Sequence, residues 1–156
     1  MNKIVFFPNK TLKLQNVLEY KMPTANKKID PQVAIMQMEA YIKANDAAQI
    51  GPLIQHTSYS VTSKGKVNLG ITLMLQCDKM IKKVNDPYRM RPLIRVENAL
   101  YVRFNGPKEK LPLAYSKIQI EAFENNINHG EESYTIYINE YDGTDSLIVD
   151  IFVPTL

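Results

Sequence analysis

The sequence predicts an α+β fold made of two βαββ units. Six segments have the residue pattern of strands, two have apolar residues at helical spacing, and the order strand, helix, strand, strand occurs twice. The chain has 156 residues, with 45% hydrophobic and 22% charged residues, which is the size and composition of one globular domain. We therefore expect residues 1–156 to form a single domain, with antiparallel strands and with helices on one face of the sheet.

The first unit is predicted over about residues 12–78. Its helix begins at Asp30-Pro31, because Asp can cap free backbone N–H groups and Pro is tolerated in the first helical turn. The predicted strands are Leu14–Lys21, Leu53–Val61 and Val67–Cys77, with Gly51-Pro52 breaking the chain between the helix and the second strand.

A linker and a second unit follow. Residues 79–93 are rich in charge and contain Pro87 and Pro92, which is typical of a linker. The second unit, about residues 94–156, is predicted to comprise a strand at Ile94–Asn105 that is irregular near Asn98, a helix with Pro112 in its first turn, and strands at Tyr134–Tyr141 and Leu147–Pro154, joined by an Asp142-Gly143 turn. Either a pseudo-twofold axis relates the two units, or two unrelated α+β halves share an element order.

Alternation along the strands of the second unit predicts two different faces. The face expected to pack on the helices carries Ile136, Ile138, Leu147, Val149, Ile151 and Val153. The opposite face carries Thr135, Tyr137, Asn139, Tyr141, Ile148, Asp150 and Phe152, with Tyr101 and Arg103 from the strand before the helix. This mixture of aromatic and polar groups fits either a small-molecule pocket or a half-exposed face made of good strand formers.

Several function classes lack their sequence signals. His56, His129 and Cys77 have no metal-ligand spacing, and neither a Gly-rich phosphate loop nor a nucleophile elbow is present, so no cofactor is expected. Cys77 is predicted to be a buried hydrophobe. The apolar run Ile4–Phe7 is too short for a signal peptide, and no apolar stretch has the length of a membrane span. We therefore expect a soluble cytoplasmic protein without a membrane partner.

The charge of +3 is too small to indicate nucleic-acid binding, but its distribution is uneven. Six basic residues lie between Lys79 and Arg95, whereas Lys and Arg are absent beyond Lys117, where acidic residues follow. This pattern is typical of solvated surfaces. It is also compatible with an acidic pocket for a cationic ligand or a basic partner.

The second unit resembles the GyrI-like effector-binding domain, the ligand-sensing part of bacterial MerR- and AraC-type transcription regulators. The resemblance rests on Gly106-Pro107 after a strand, Ala114-Tyr115 in the following helix, Tyr137 in the penultimate strand and Val153-Pro154 at the end of the last strand. It implies a ligand groove between the two units and a ligand that is hydrophobic and often cationic. Many members carry a Glu where this chain has Thr135. Glu140 is predicted on the other face, and Asp150 is the candidate to replace the family Glu.

We therefore predict a stand-alone effector-binding domain that holds a small hydrophobic molecule. A helix-turn-helix segment is not recognisable in the sequence, so direct DNA binding is not expected. The predicted ligand-binding residues are Tyr59, Thr72, Met74, Tyr101, Arg103, Thr135, Tyr137, Asp150 and Phe152. Arg103 is a candidate either to meet an anionic group of the ligand or to neutralise Asp150. The alternatives are a protein-interaction module that keeps the fold without a ligand and, with less support, a hydrolase of small hydrophobic compounds.

Overall fold

A computed structural model describes residues 3–23, 29–139 and 146–156. Within these residues the chain has six strands and two α-helices, which confirms the α+β class. The elements are β1 (Lys3–Lys21), α1 (Pro31–Ala44), β2 (Gln49–Val61), β3 (Val67–Cys77), β4 (Tyr88–Pro107), the 3-10 turn Lys108–Lys110, α2 (Pro112–Glu124), β5 (Glu132–Tyr137) and β6 (Ser146–Val153). Neither helix of the described chain is long and apolar enough to cross a membrane.

Several strand boundaries differ from the sequence prediction. β4 ends at Pro107 instead of Asn105, and β5 spans Glu132–Tyr137 instead of Tyr134–Tyr141. Three further differences involve Pro or Gly residues. β1 begins at Lys3, eleven residues before the predicted Leu14, and continues through Pro8. β4 begins at Tyr88, so most of the second half of the predicted 79–93 linker is strand, including Pro92. Gly51 lies inside β2 with φ of +80°, where the register of β2 against β3 shifts between Ile50 and Ile54. Each of these prolines and glycines was a plausible chain break, but strands accept them at edges and bulges.

The first compact unit is Lys13–Ile94. Its central strand is β3, which pairs antiparallel with β1 and with β2. The predicted helix start is confirmed: the Asp30 side chain accepts a hydrogen bond of 2.9 Å from the Gln32 N–H, and Pro31 is the first helical residue. The fully buried side chains of this unit include Val17, Leu18, Met38, Ile42, Ile54 and Leu75.

The second compact unit combines the beginning of β1, up to Leu12, with the chain from Arg95 onward. β6 is its central strand and pairs antiparallel with β4 and with β5. One face of these strands packs on α2, in a buried cluster of Leu100, Val102, Phe104, Ala114, Ile118, Ala122, Val149, Ile151 and Val153. Ile4 and Phe6 of β1 pack against the same cluster. The predicted irregularity near Asn98 is confirmed by its φ of +57°.

Each unit thus has the element order β-α-β-β, and in each the last strand pairs with the other two. The predicted pseudo-twofold axis between the units stays a prediction.

Candidate functional site

Strand register places four of the predicted residues on one face of the second unit. Tyr101 of β4 lies opposite Phe152 of β6, and Arg103 lies opposite Asp150. Directly opposed residues of an antiparallel pair point to the same face. Their neighbours along the strands, Val102 and Ile151 among them, lie in the cluster packed on α2. The predicted faces of β4 and β6 are therefore confirmed.

Asp150 is the most strongly held polar group on this face. Its Oδ1 accepts hydrogen bonds from the Tyr101 hydroxyl at 2.7 Å and from Arg103 Nε at 2.8 Å, and its Oδ2 accepts one from Arg103 Nη2 at 2.8 Å. The Asp150 side chain is 11% exposed, whereas that of Arg103 is 49% exposed. A bidentate guanidinium pair of this geometry neutralises the carboxylate and fixes both side chains.

Three aromatic rings lie beside this ion pair. The Tyr101 and Phe152 ring centroids are 4.9 Å apart, and the two rings are tilted by 44°. Phe7 of β1 stacks on Tyr101, with 6.3 Å between the two ring centroids. Phe152 is buried, whereas Phe7 is 47% exposed. We call Phe7, Tyr101, Phe152, Arg103 and Asp150 the aromatic face.

A lysine from β1 stands over the aromatic face. Lys10 Nζ is 5.1 Å from the Phe7 ring centroid and 5.9 Å from that of Tyr101, which are cation–π distances. Asn9 has φ of +60°, and this left-handed residue breaks the alternation between Phe7 and Lys10. Neither Phe7 nor Lys10 was predicted from the sequence as a site residue, because the Pro8 between them resembles a chain break.

The contacts of Asp150 shift the pKa values of its two partners. Burial, followed by the hydrogen bond to Asp150, raises the pKa of Tyr101 from 10.0 to about 12. The hydrogen bond to Asp150 raises the pKa of the Arg103 guanidinium, which stays protonated throughout the physiological range. The face therefore holds a neutral phenol and a permanent cation at neutral pH.

The prediction that Thr135 and Tyr137 share this face is wrong. In the register of β5 against β6, Thr135 lies opposite Ile151 and Tyr137 opposite Val149, and both partners belong to the cluster packed on α2. Thr135 is 1% exposed, and its Oγ1 is 2.7 Å from the Tyr115 hydroxyl of α2. Apolar and aromatic residues occur at both parities of β5, so alternation alone did not identify its buried side.

Other residues of β5 also lie on the face opposite to the predicted one. Ile136 lies opposite Asp150, and Tyr134 lies opposite Phe152, so these two residues share the aromatic-face side of the sheet. Ile138 follows the end of β5 and is 41% exposed, which contradicts its predicted packing on the helices. The predictions for Glu140, Tyr141 and the Asp142-Gly143 turn lie outside the described residues.

The predicted site residues of the first unit do not all lie on one face. Thr72 and Met74 share one face of β3, with His56 and Ile54 opposite them on β2. Tyr59 lies opposite Leu69, on the other face, and is 51% exposed, whereas Met74 is buried. A charged residue that the sequence analysis did not single out, Glu19, lies opposite Met74 on β1. Glu19 is almost buried and accepts a hydrogen bond of 3.3 Å from Arg91 Nη1.

Groups suited to metal binding do not gather in the part of the chain that the structure describes. Its His, Cys, Asp and Glu residues form no cluster of three that could hold a metal ion. Cys77 is fully buried, as predicted, and burial together with the charge of Asp78 raises the pKa of its thiol. A buried thiol of raised pKa is a poor nucleophile.

Comparison with solved structures identifies the fold. The C-terminal domain of EcmrR, from a crystal structure, superposes with a TM-score of 0.61 at 15% identity, over 100% of this chain and 97% of that chain. The chain has the fold of the EcmrR C-terminal domain. An EcmrR chain in the cryo-EM structure of the EcmrR–DNA complex gives a TM-score of 0.54 at 16% identity, and the match covers 99% of this chain but 57% of that chain.

A crystal structure of a hydrolase from Listeria innocua also matches, with a TM-score of 0.53, 14% identity, and coverage of 99% of this chain and 91% of that chain. No protein-family model and no curated protein sequence matches the chain. The match to the EcmrR C-terminal domain confirms, for the fold, the resemblance to the effector-binding domain of transcription regulators. Identities of 14–16% show a shared fold and carry no function with them.

Proposed function

We propose that this chain is a ligand-sensing domain of the bacterial transcription-regulator type, acting in the cytoplasm, and that its aromatic face binds a small hydrophobic molecule. The observation that carries the proposal is the group of three adjoining rings, Phe7, Tyr101 and Phe152, beside a fixed Arg103–Asp150 pair. The fold shared with the EcmrR C-terminal domain supports it.

The aromatic face has the composition of a small-molecule site. Such sites combine apolar and aromatic area with a small number of fixed polar groups that orient the ligand. Here the polar groups are held by three short hydrogen bonds to Asp150, so little side-chain entropy remains to be lost on binding. Phe7 is half exposed and offers ring area that a flat ligand can cover.

Binding of a neutral aromatic probe, 2-naphthylacetamide, tests the proposal by isothermal titration calorimetry. We expect saturable binding to the wild-type chain and a loss of about fivefold or more in affinity in Phe7→Ala, since removing one ring contact costs about 1 kcal/mol. Phe123→Ala is the matched control, because Phe123 of α2 is 84% exposed and outside the aromatic face. Unchanged affinity in a folded Phe7→Ala, Phe152→Leu double variant would show that the site is wrong.

A second candidate function is a protein-interaction module. The observation in its favour is a set of exposed apolar side chains on α2, namely Leu113, Ile120 and Phe123, at 46%, 53% and 84% exposure. Self-association offers a first test: sedimentation of the wild-type chain and of an Ile120→Lys, Phe123→Lys variant over a concentration series. A concentration-dependent dimer that the variant abolishes supports this candidate, and a monomer in both removes self-association from it.

Hydrolysis is the function that the Listeria innocua match brings into consideration. Among the described residues, the carboxylate best placed on the aromatic face is Asp150, and its oxygens are engaged by Arg103 and Tyr101. Incubation with a panel of aryl esters and cyclic adducts tests this function. Turnover that Asp150→Asn abolishes would support it, and lack of turnover across the panel would remove it.

A further inference from the structure

The charge balance of the aromatic face points to a particular class of ligand. We propose that the aromatic face prefers an aromatic or aliphatic molecule that carries a carboxylate or another anionic group, rather than a cation. This inference rests on the proposed function and specifies the ligand class of the same site. It follows from two features: Arg103 neutralises Asp150, and Lys10 adds a further positive charge beside the rings.

Asp150 is poorly available to a cationic ligand. Its Oδ1 already accepts two hydrogen bonds and its Oδ2 accepts one, all between 2.7 and 2.8 Å, and its side chain is 11% exposed. Three of the roughly four acceptor positions of this carboxylate are in use, and a cation at the remaining one would be repelled by the adjacent Arg103 guanidinium. A cation that instead displaced Arg103 would break a bidentate, charge-assisted pair, which is among the strongest polar contacts of a protein surface.

Arg103 retains binding capacity of its own. A guanidinium has five N–H donors, and the contact with Asp150 uses one on Nε and one on Nη2. Nearly half of the Arg103 side chain is exposed. Its remaining donors can therefore meet a ligand carboxylate at the edge of the rings without any loss of the Asp150 contact.

Lys10 adds a second positive charge beside the rings. Its ammonium lies 5.1 Å from the Phe7 centroid and 5.9 Å from the Tyr101 centroid, and the residue is exposed. Lys10 and Arg103 carry two positive charges at these rings, and Asp150, which Arg103 already neutralises, carries one negative charge. A ligand stacked on Phe7 and Tyr101 lies beside the Lys10 ammonium, which would repel a cationic ligand and attract an anionic one.

A matched series of three probes tests the inference: 2-naphthylacetate, 2-naphthylacetamide and 2-(2-naphthyl)ethylammonium, each titrated into the wild-type chain by calorimetry at low and high salt. We expect the anion to bind at least fivefold more tightly than the amide, and the cation to bind most weakly. Added salt should reduce the difference between the anion and the amide, because the exposed charges are screened.

Two variants test whether Lys10 and Arg103 cause the preference for the anionic probe. Lys10→Gln, at an exposed position, should reduce the ratio of anion affinity to amide affinity about threefold. Arg103→Gln frees the Asp150 carboxylate and should invert the order, so that the cation binds more tightly than the anion. The matched control Lys13→Gln replaces a nearby β1 lysine that belongs to the first unit, and it should change neither affinity ratio.

The outcomes separate the inference from the proposed function. If the amide binds and Phe7→Ala weakens it, but the cation binds as tightly as the anion or more tightly, the charge preference is overturned and the site stands. An unchanged preference in Lys10→Gln and Arg103→Gln would likewise overturn the assignment to these residues. If none of the three probes binds, the proposed function itself fails.

Discussion

Arg103 and Asp150 lie opposite each other on β4 and β6, and two hydrogen bonds of 2.8 Å join the guanidinium to both carboxylate oxygens. The strand register thereby brings a cation and an anion into a fixed pair beside three aromatic rings. A hydroxyl hydrogen bond from Tyr101 completes the arrangement at 2.7 Å. This pair engages both oxygens of the Asp150 carboxylate and leaves the Arg103 cation partly exposed.

Replacing Asp150 by Asn should destabilise the fold. The amide keeps the shape but loses the charge, and its NH₂ group cannot accept the hydrogen bonds that Asp150 receives. We expect the free energy of unfolding, measured by urea denaturation, to fall by about 1–3 kcal/mol. The matched control is Glu97→Gln in the Arg95–Glu97 pair, whose side chains are 53% and 59% exposed, and there we expect less than about 0.5 kcal/mol. Equal losses in the two variants would contradict the structural role assigned to Asp150.

Tyr101 should make stability depend on pH in the alkaline range. Its folded pKa of about 12 lies above the ordinary value of 10.0, so folding favours the protonated phenol. Its contribution is complete below about pH 10 and is lost as the pH rises towards about 12. We expect the urea midpoint of wild type to fall more steeply over this range than that of Tyr101→Phe, and a parallel decline in both proteins would contradict the assignment.

Thr135→Val separates structural from ligand-binding roles. The substitution keeps the branched shape and removes the hydroxyl that lies 2.7 Å from the Tyr115 hydroxyl in the buried interface with α2. We expect a loss of about 1–2 kcal/mol in the free energy of unfolding and unchanged affinity for 2-naphthylacetamide. A weakened probe affinity with unchanged stability would place Thr135 on the ligand side, as the sequence pattern first indicated.

Phe104 should be much more important for stability than Phe123, although both belong to the second unit. Phe104 is fully buried in the cluster under α2, whereas Phe123 is 84% exposed. We expect Phe104→Ala to cost about 3–5 kcal/mol, because it creates a large cavity, and Phe123→Ala to cost less than about 0.5 kcal/mol. If Phe104→Ala leaves too little folded protein, Phe104→Leu provides a smaller loss in the same direction. Similar costs for Phe104→Leu and Phe123→Ala would contradict this core.

Strong alternation made the faces of β4 and β6 predictable. In each strand the residues packed on α2, such as Val102 and Ile151, are clearly apolar, and their neighbours Arg103 and Asp150 carry charge. β5 lacks this contrast, since Thr135 and Ile136 are both suited to a buried strand position. The register of β5 against β6 decides which of its faces is buried. This register cannot be derived from the residues of β5 alone.

The contribution of β1 to the site could not be predicted. Phe7 and Lys10 reach Tyr101 across more than ninety residues of sequence, and their shared side depends on the left-handed conformation of Asn9. The uneven charge distribution suggested an acidic second half, yet the cations of the aromatic face come from β1 and from β4, before Lys117. Long-range strand contacts of this kind are fixed by the tertiary fold rather than by local pattern.

Intermolecular nuclear Overhauser effects test most directly whether the aromatic face binds a hydrophobic small molecule. The experiment uses the full chain with ¹³C-labelled Phe and Tyr and unlabelled 2-naphthylacetamide. We expect contacts between the naphthyl protons and the ring protons of Phe7, Tyr101 and Phe152. Contacts confined to other aromatic residues, such as Phe123 or Tyr59, would contradict this expectation, as would the absence of any contact at saturating probe.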